Sequence, residues 1–321
     1  MTFRFVELPS AGDELRSEVL VGLAASPKSI PPKYFYDEAG CRLFEAICRQ
    51  PEYALTRIEQ ALMASNLPEI AAAIGTIDCI VEPGAGDCSK VRALVAALLP
   101  KQLLVLDIAG GTLVEAAASL AADHPELQVT ALGMDFIHAL EAAQDYLPAG
   151  RRLVYYPGSS IGNFSPSEAA VLLGRYRRLA GEEGQLLIGF DLKKDPDLLH
   201  RAYNDAAGVT AAFNLNLLQR LNRELDADFK PEKFRHYAFY NPIEGRVEMH
   251  LVSLVEQSVS VAGQRFHFHL GETLLTEHSY KFRCDEFAAI ASSAGWRLRG
   301  EWQQDGFALQ LFGQAIDAVR G

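Results

Sequence analysis

The chain has 321 residues, of which 49% are hydrophobic and 22% are charged. This is the composition of an ordinary globular protein, and it excludes a disordered or fibrous chain. At roughly 150 residues per domain, the length predicts two domains. Acidic residues outnumber basic ones by 41 to 30, which gives a net charge of −11. That charge disfavours nucleic acids and anionic membranes as partners, so we expect a small-molecule substrate.

The cysteines and the longest apolar runs bear on the cellular location of the protein. The 5 cysteines are scattered and form no C-x-x-C pair, which is typical of a reduced, intracellular protein. The N-terminus has no apolar core of signal-peptide length, and no run approaches ~18 apolar residues. We therefore predict a cytoplasmic protein without a membrane partner, and we expect a monomer.

Short apolar runs alternate with amphipathic stretches between residues 77 and 190. This alternation predicts βαβ units, that is, a parallel sheet with helices on both faces. The predicted strands are 77–81, 103–108, 127–132, 153–156 and 186–190, and the predicted helices include 90–99, 113–122 and 166–179.

The pattern changes after residue 190. A long helical tract is followed by β-rich runs, one of which contains a predicted turn at Ala262-Gly263. The chain then ends in a helix and a hairpin, and such a hairpin can complete a parallel sheet. The helical tract is 198–225, the β-rich runs are 236–240, 246–253 and 258–270, and the final elements are 286–294, 297–302 and 307–312.

A glycine turn, Gly84-Ala85-Gly86, follows the first predicted strand. Glycines there let the backbone approach a ligand closely, and the next helix N-terminus favours an anionic group. A full dinucleotide motif, G-x-G-x-x-G, would need glycine where the chain has Ser89. A tight structural turn is therefore the alternative interpretation.

Acidic residues lie at the carboxyl end of the second predicted strand and directly after the third. Asp107 could accept both ribose hydroxyls of a nucleoside, and Asp135 with Phe136 could bind the amino group and the ring of adenine. Each could instead cap a helix or fill the core. Together with the glycine turn they favour S-adenosylmethionine (SAM) over NAD, with Lys90 as a counter-charge for the methionine carboxylate.

Gly158-x-Ser160-x-Gly162 matches the nucleophile elbow of α/β hydrolases. An elbow requires a helix to start directly after the serine, whereas here Ser165 and Pro166 have the features of a later N-cap and first turn. A substrate loop with Asn163 as its polar group is the favoured interpretation. A serine hydrolase using Ser160 is the alternative from another class.

His267 and His269 lie two residues apart in a predicted strand and so share one face. Two imidazoles could bind a metal, but no third ligand is evident nearby. A solvated strand face is the favoured interpretation, and we expect no metal.

With these motifs in view, the chain resembles the L-histidine Nα-methyltransferases of ergothioneine biosynthesis, which convert histidine to the trimethylated betaine hercynine. The resemblance extends from about Pro31 to the C-terminus. It implies a Rossmann-like class I SAM-dependent methyltransferase domain (58–190 and 281–321) and a second, α+β, substrate-binding domain (1–57 and 191–280). The segments that carry it are 31–37, 51–53, 56–57, 82–86, 158–163, 203–214, 246–249 and 276–279.

The resemblance also implies roles for individual residues. Those matching Asn163 and Tyr203 hold the substrate carboxylate, and those matching Glu277 and Ser279 hold the imidazole. Tyr36 is the catalytic candidate, expected to orient the amine. The remaining implied residues are Tyr53, Phe44 and Met249 around the substrate, and Gly84, Gly86, Lys90, Asp107, Asp135 and Phe136 around SAM.

Two positions depart from the family pattern. Ile108-Ala109 follow Asp107, where relatives usually carry a polar residue, and His278 separates Glu277 from Ser279. Strand alternation points His278 away from its two neighbours, which share the other face. A carboxylate and a hydroxyl on that face can satisfy both imidazole nitrogens and would reject rings that lack them.

The expected reaction is transfer of up to three methyl groups from SAM to the α-amino nitrogen of L-histidine, giving hercynine. Three alternatives stay open from the sequence: an Nα-methyltransferase for another aromatic amino acid, the serine hydrolase, and a non-catalytic SAM-binding protein.

Overall fold

The computed structural model describes residues 2–8, 14–108, 110–137 and 139–314. Among these, the strands are β1 (Phe3–Glu7), β2 (Lys28–Ser29), β3 (Cys79–Pro83), β4 (Gln102–Asp107), β5 (Gln128–Gly133), β6 (Arg152–Tyr156), β7 (Gln185–Asp191), β8 (Phe234–Asn241), β9 (Arg246–Ser253), β10 (Gln257–Val261), β11 (Gln264–Phe268), β12 (Thr273–Tyr280), β13 (Trp296–Gln304) and β14 (Phe307–Gln314).

The helices in the same part of the chain are α1 (Glu14–Ala24), α2 (Glu38–Cys48), α3 (Leu55–Ile74), α4 (Arg92–Leu98), α5 (Gly110–Asp123), α6 (Pro166–Ala180), α7 (Pro196–Tyr203), α8 (Val209–Glu224) and α9 (Cys284–Ser293). None of these described helices is both long enough and apolar enough to cross a bilayer.

The chain divides into two units. The first contains the described residues within 1–10, 57–192 and 282–321, and the second contains those within 11–56 and 193–281. Each unit therefore draws on separate stretches of sequence.

The first unit is built on an eight-stranded sheet in the order β1-β5-β4-β3-β6-β7-β14-β13. The first six strands in this order, β1, β5, β4, β3, β6 and β7, run parallel to one another. The strand β14 runs antiparallel to β7 and to β13. Each predicted strand is present within two residues of its predicted ends, and the C-terminal hairpin does return to the sheet. The predicted Rossmann-like α/β fold is confirmed.

The order of the strands in this sheet indicates where a ligand crevice is expected. The chain moves outward from β3 to β4 and β5, then returns to continue on the other side with β6 and β7. In such sheets, ligands bind at the carboxyl ends of the strands where the order reverses. The glycine turn follows β3, so it lies at this point.

The N-terminal strand corrects the predicted domain boundary. Residues 1–57 were expected in the substrate-binding domain, but β1 pairs in parallel with β5, from Phe3 opposite Val129 to Glu7 opposite Gly133. The backbone groups at the edge of β5 are thereby paired, which an exposed edge would otherwise leave open. A five-residue strand this far from its partner carries no sequence signal of where it pairs.

The second unit contains a four-stranded sheet, β2-β12-β9-β8, and the two-stranded hairpin β10–β11. The predicted helical tract 198–225 forms two helices instead of one. The Asp205 carboxylate accepts hydrogen bonds from the backbone N–H groups of Val209 and Thr210, both at 2.8 Å, and Gly208 has φ = +71°. A capping aspartate followed by a left-handed glycine starts a new helix, so α7 ends and α8 begins here.

Candidate active site

The turn after β3 brings two predicted cofactor residues into direct contact. Gly84 and Gly86 have φ values of +71° and +54°, in the left-handed region that favours glycine. The Gly86 N–H donates to Asp107 Oδ2 over 2.8 Å. A carboxylate offers about four acceptor positions, so this bond fixes Asp107 and is compatible with the predicted contact to a ribose.

The segment after β5 also reaches the glycine turn. A Cβ atom placed on Gly84 would lie 3.2 Å from the Phe136 ring, so the absence of a side chain at Gly84 accommodates the ring. Asp135 is buried, and its Oδ1 accepts the Ile137 N–H over 2.9 Å. The ends of β3, β4 and β5 therefore place their predicted residues around one turn.

Lys90 belongs to a partly buried ionic network that the sequence did not reveal. Its Nζ lies 2.8 Å from Glu59 Oε2, and Glu59 Oε1 accepts the Gly158 N–H over 2.8 Å. Glu59 is only 2% exposed. It lies in α3, outside every strand-end motif, and nothing in the sequence distinguishes it from Glu69, the other acidic residue of that helix.

Glu82 supplies a test of whether the site fits SAM. Its side chain is fully buried, and neither carboxylate oxygen has a hydrogen-bond partner among the described residues. Burial raises the pKa of Glu82 well above its ordinary value, while Lys90 opposes that rise. A buried polar group without a partner is costly, and the α-ammonium of SAM is a donor of the required chemistry. The residues fit this cofactor.

The loop after β6 does not form a nucleophile elbow. Ser160–Asn163 is a short 3-10 helix, and the Ser160 side chain hydrogen-bonds that of Tyr156. The next helix, α6, begins at Pro166 and is capped by Ser165. A strand-to-helix turn at Ser160 is therefore absent, and Asn163 lies half-buried at the end of the 3-10 helix.

In the second unit, Ser279 is the centre of a hydrogen-bonded group at the end of β12. Its Oγ accepts from the Tyr203 hydroxyl over 2.7 Å and from Lys281 Nζ over 2.9 Å. Lys281 Nζ also lies 3.3 Å from the Tyr203 oxygen, and the Lys281 residue is 1% exposed. Lys281 was not predicted, although its position two residues beyond Ser279 continues the same strand face.

Glu277 shares the face of Ser279. Burial raises the pKa of the Glu277 carboxyl to about 7, and the charge of Lys281 acts in the opposite direction. Met249, which is buried, lies directly opposite Glu277 on β9. Directly opposite residues of paired strands share a face, so the two predicted residues lie side by side.

The remaining predicted aromatic residues surround one ring, Phe213. Its centroid lies 5.9 Å from that of Tyr36 and 6.1 Å from that of Phe44, and Phe44 in turn lies 6.4 Å from Tyr53. Burial raises the pKa of Tyr53 well above its ordinary value, with smaller contributions from Tyr203 and other neighbours. In sequence, Phe213 has no feature that separates it from an ordinary core position of α8.

His278 lies on the other face of β12. Its ring centroid is 6.0 Å from that of Tyr280, two residues further along, as strand alternation predicts. Ala109, the other departure from the family pattern, lies outside the described residues.

Comparison with known proteins identifies the family. The model of the family described as "Histidine-specific methyltransferase, SAM-dependent" matches residues 15–314. The chain belongs to this family. It is 41% identical to the histidine N-alpha-methyltransferase of Mycolicibacterium smegmatis over 304 residues, which is 93% of this chain and 94% of that protein.

Other relatives agree. The chain is 38% identical to the histidine N-alpha-methyltransferase of Mycobacterium tuberculosis, covering 92% of this chain and 94% of that protein. It is 29% identical to ergothioneine biosynthesis protein 1 of Neurospora crassa, covering 86% of this chain and 32% of that protein. The predicted class, a SAM-dependent N-methyltransferase, is confirmed, as is the cofactor, and the serine hydrolase is not favoured.

Proposed function

We propose that this protein transfers up to three methyl groups from SAM to the α-amino nitrogen of L-histidine, giving hercynine for ergothioneine biosynthesis. The observation that carries the proposal is the polar face of β12, where Glu277 and Ser279 lie together and Lys281 donates to Ser279. We also propose that the protein is a cytoplasmic monomer with small molecules as its only partners.

The hydrogen bonds to Ser279 determine what it offers a ligand. A hydroxyl has two acceptor lone pairs and one donor hydrogen, and Ser279 Oγ already accepts from Tyr203 and Lys281. Its own hydrogen is therefore directed to an external acceptor. The unprotonated nitrogen of a neutral imidazole is such an acceptor, so Ser279 favours the neutral ring of histidine over the imidazolium.

Glu277 complements this donor. Above a pH of about 7 its carboxyl is ionised and accepts the N–H of the same imidazole. A phenyl ring would leave the Glu277 carboxylate and the hydroxyl hydrogen of Ser279 without a partner in a buried place, and this cost discriminates against it. This favours histidine over the other aromatic amino acids.

The aromatic group around Phe213 suits the amino end of the substrate. Each methylation replaces an N–H donor with an apolar methyl group, and the trimethylated product carries a permanent positive charge. Aromatic faces bind quaternary ammonium groups through cation–π attraction. We assign Tyr36 to orienting the amine, with Phe44 and Tyr53 providing the surrounding rings.

In the first unit we assign the glycine turn, Asp107, Asp135, Phe136 and Lys90 to SAM. When bound, SAM supplies an electrophilic sulfonium methyl group. The chain's own contribution is alignment, which can lower a barrier by about 7–11 kcal/mol at best. The attacking α-amine, with an ordinary pKa of about 8, must first lose its proton.

We assign Asn163 and Tyr203 to the substrate carboxylate on the family resemblance. The Tyr203 hydroxyl donates its one hydrogen to Ser279, so it could bind a carboxylate only in exchange for that bond, and Lys281 would then be the donor that keeps Ser279 oriented.

The test is a reaction of the purified protein with SAM and, separately, histidine, phenylalanine, tyrosine and tryptophan, followed by mass spectrometry. Mono-, di- and trimethylated products are expected from histidine alone. Preferential methylation of another amino acid would overturn the substrate assignment. Tight SAM binding without any product would indicate a non-catalytic binding protein.

A further inference from the structure

Three potential metal ligands meet on the hairpin β10–β11. Glu256 directly precedes β10, His267 lies in β11 and His269 follows it. His267 Nε2 is 2.6 Å and His269 Nδ1 is 3.2 Å from Glu256 Oε1, and one ligand atom from each residue lies within 4.8 Å of the others. The sequence showed the two histidines but not a third ligand, because Glu256 is 11 residues upstream of His267.

Each ligand is held by a second hydrogen bond. Glu256 Oε2 accepts the Leu270 N–H at 3.2 Å, which turns Oε1 towards both rings. His267 Nδ1 lies 3.3 Å from Ser258 Oγ, directly opposite on β10. If Nδ1 donates to that hydroxyl, Nε2 carries the lone pair that a metal requires. Outer hydrogen bonds of this kind orient ligands in metal sites.

The backbone of His269 is fixed as well. Its N–H donates to Glu272 Oε2 over 2.8 Å, and Glu272 is paired with Lys28. His267 and His269 therefore lie at the end of a strand that is paired with β10 and is followed by a hydrogen-bonded turn.

We propose that Glu256, His267 and His269 bind a divalent transition-metal ion of the zinc class. Two imidazoles and one carboxylate form a ligand set that Zn²⁺ uses with an open fourth position. Ligand atoms around a tetrahedral Zn²⁺ lie about 3.4 Å apart, so the observed separations need only small side-chain rotations. All three side chains are exposed, which gives an ion direct access from solvent.

Such an ion would join the segment before β10 to the end of β11. It would replace the hydrogen bonds that Glu256 now makes to the two rings with bonds to one metal. Because the unfolded chain does not hold these three groups together, bound metal would stabilise the folded protein. The proposal does not depend on the identity of the methyl acceptor.

The test uses untagged full-length protein titrated with ZnCl₂ in a non-coordinating buffer, followed by calorimetry. We compare wild type with the double variant His267→Ala/His269→Ala and with His124→Ala, a histidine of the first unit, as a matched control. Loss of two ligands is expected to weaken Zn²⁺ binding at this site by about 100-fold or more. Removing a residue that only hydrogen-bonds to a metal ligand already costs about 10- to 100-fold. His124→Ala should retain that event.

Thermal unfolding provides an independent measurement. Zn²⁺ should raise the midpoint of wild type and of His124→Ala by more than it raises the midpoint of the double variant. Cysteine binding elsewhere would appear equally in all three proteins and cancel in the comparison. An equal titration and an equal thermal shift for wild type and the double variant would overturn the proposal.

Discussion

Lys281 donates a hydrogen bond to Ser279 over 2.9 Å, and both residues are buried. Ser279 thereby accepts two hydrogen bonds and can offer only its hydrogen to a ligand. In the function proposed above, the positive charge two residues beyond Ser279 would thus determine which form of an imidazole that hydroxyl recognises.

Replacing Lys281 with Met tests this role. Lys281→Met removes the donor but retains much of the side-chain volume, so Ser279 can turn its hydrogen away from the substrate. Loss of a buried hydrogen bond from a charged group predicts histidine binding weaker by about 10- to 100-fold. SAM binding should be unchanged, and both affinities can be measured by calorimetry. The same substitution at the exposed Lys230 is the control, and equal losses for both ligands would count against a positioning role.

The raised pKa of Glu277 predicts how stability depends on pH. In the unfolded chain this carboxyl titrates near 4.5 and in the folded protein near 7, so between these values the folded state binds the extra proton. Stability therefore falls as pH rises through this window, by at most about 3 kcal/mol. Glu277→Gln should flatten that part of the curve in urea unfolding from pH 5 to pH 8, whereas Glu232→Gln, at an exposed site, should not. Parallel curves for wild type and Glu277→Gln would contradict the prediction.

Gly84→Ala should impair SAM binding for a reason separable from backbone strain. Gly84 has φ = +71°, and a Cβ there would lie 3.2 Å from the Phe136 ring. Gly75 has φ = +70° with nothing within 4 Å of such a Cβ. Both variants should lose about 1–2 kcal/mol of unfolding free energy to the left-handed backbone. Only Gly84→Ala should also weaken SAM binding, and similar SAM affinities for the two variants would show that Phe136 is not part of the cofactor site.

Glu59→Gln should destabilise the first unit. The substitution keeps an acceptor for the Gly158 N–H but removes the charge paired with Lys90. Removing one member of a buried, hydrogen-bonded pair costs about 1–3 kcal/mol, measurable by chemical denaturation. Glu69→Gln, on the exposed side of the same helix, should have little effect, and equal stability of the two variants would argue against a structural role for the pair.

The first unit was largely predictable from the sequence because buried parallel strands are continuous apolar runs. Ligand-binding residues follow such strands directly, so Gly84, Asp107 and Phe136 could be placed before their contacts were known. Glu59 could not, because it bonds Gly158 across 99 residues and lies on a helix with no distinguishing pattern. The pairing of β1 with β5 could not be predicted either, because the two strands are also far apart in the sequence.

The second unit shows a different limit. Lys281 alternates with Glu277 and Ser279 and so could have been placed on the same strand face, although it lies beyond the family segment 276–279. The break between α7 and α8 was also encoded, in Asp205 and Gly208, yet the apolar periodicity on both sides gave the impression of one helix. Glu256 was hidden because a hairpin turn separates it from His267 in sequence.

The position of β14 bears on how the protein is made. This strand lies between β7 and β13 in the large sheet, so its place is interior although it is the last strand of the described part of the chain. The edge of β7 therefore stays unpaired until residue 314 has left the ribosome, and nascent chains of the first unit expose an open strand edge throughout synthesis. Ribosome stalling or truncation upstream of β14 is expected to yield aggregation-prone chains.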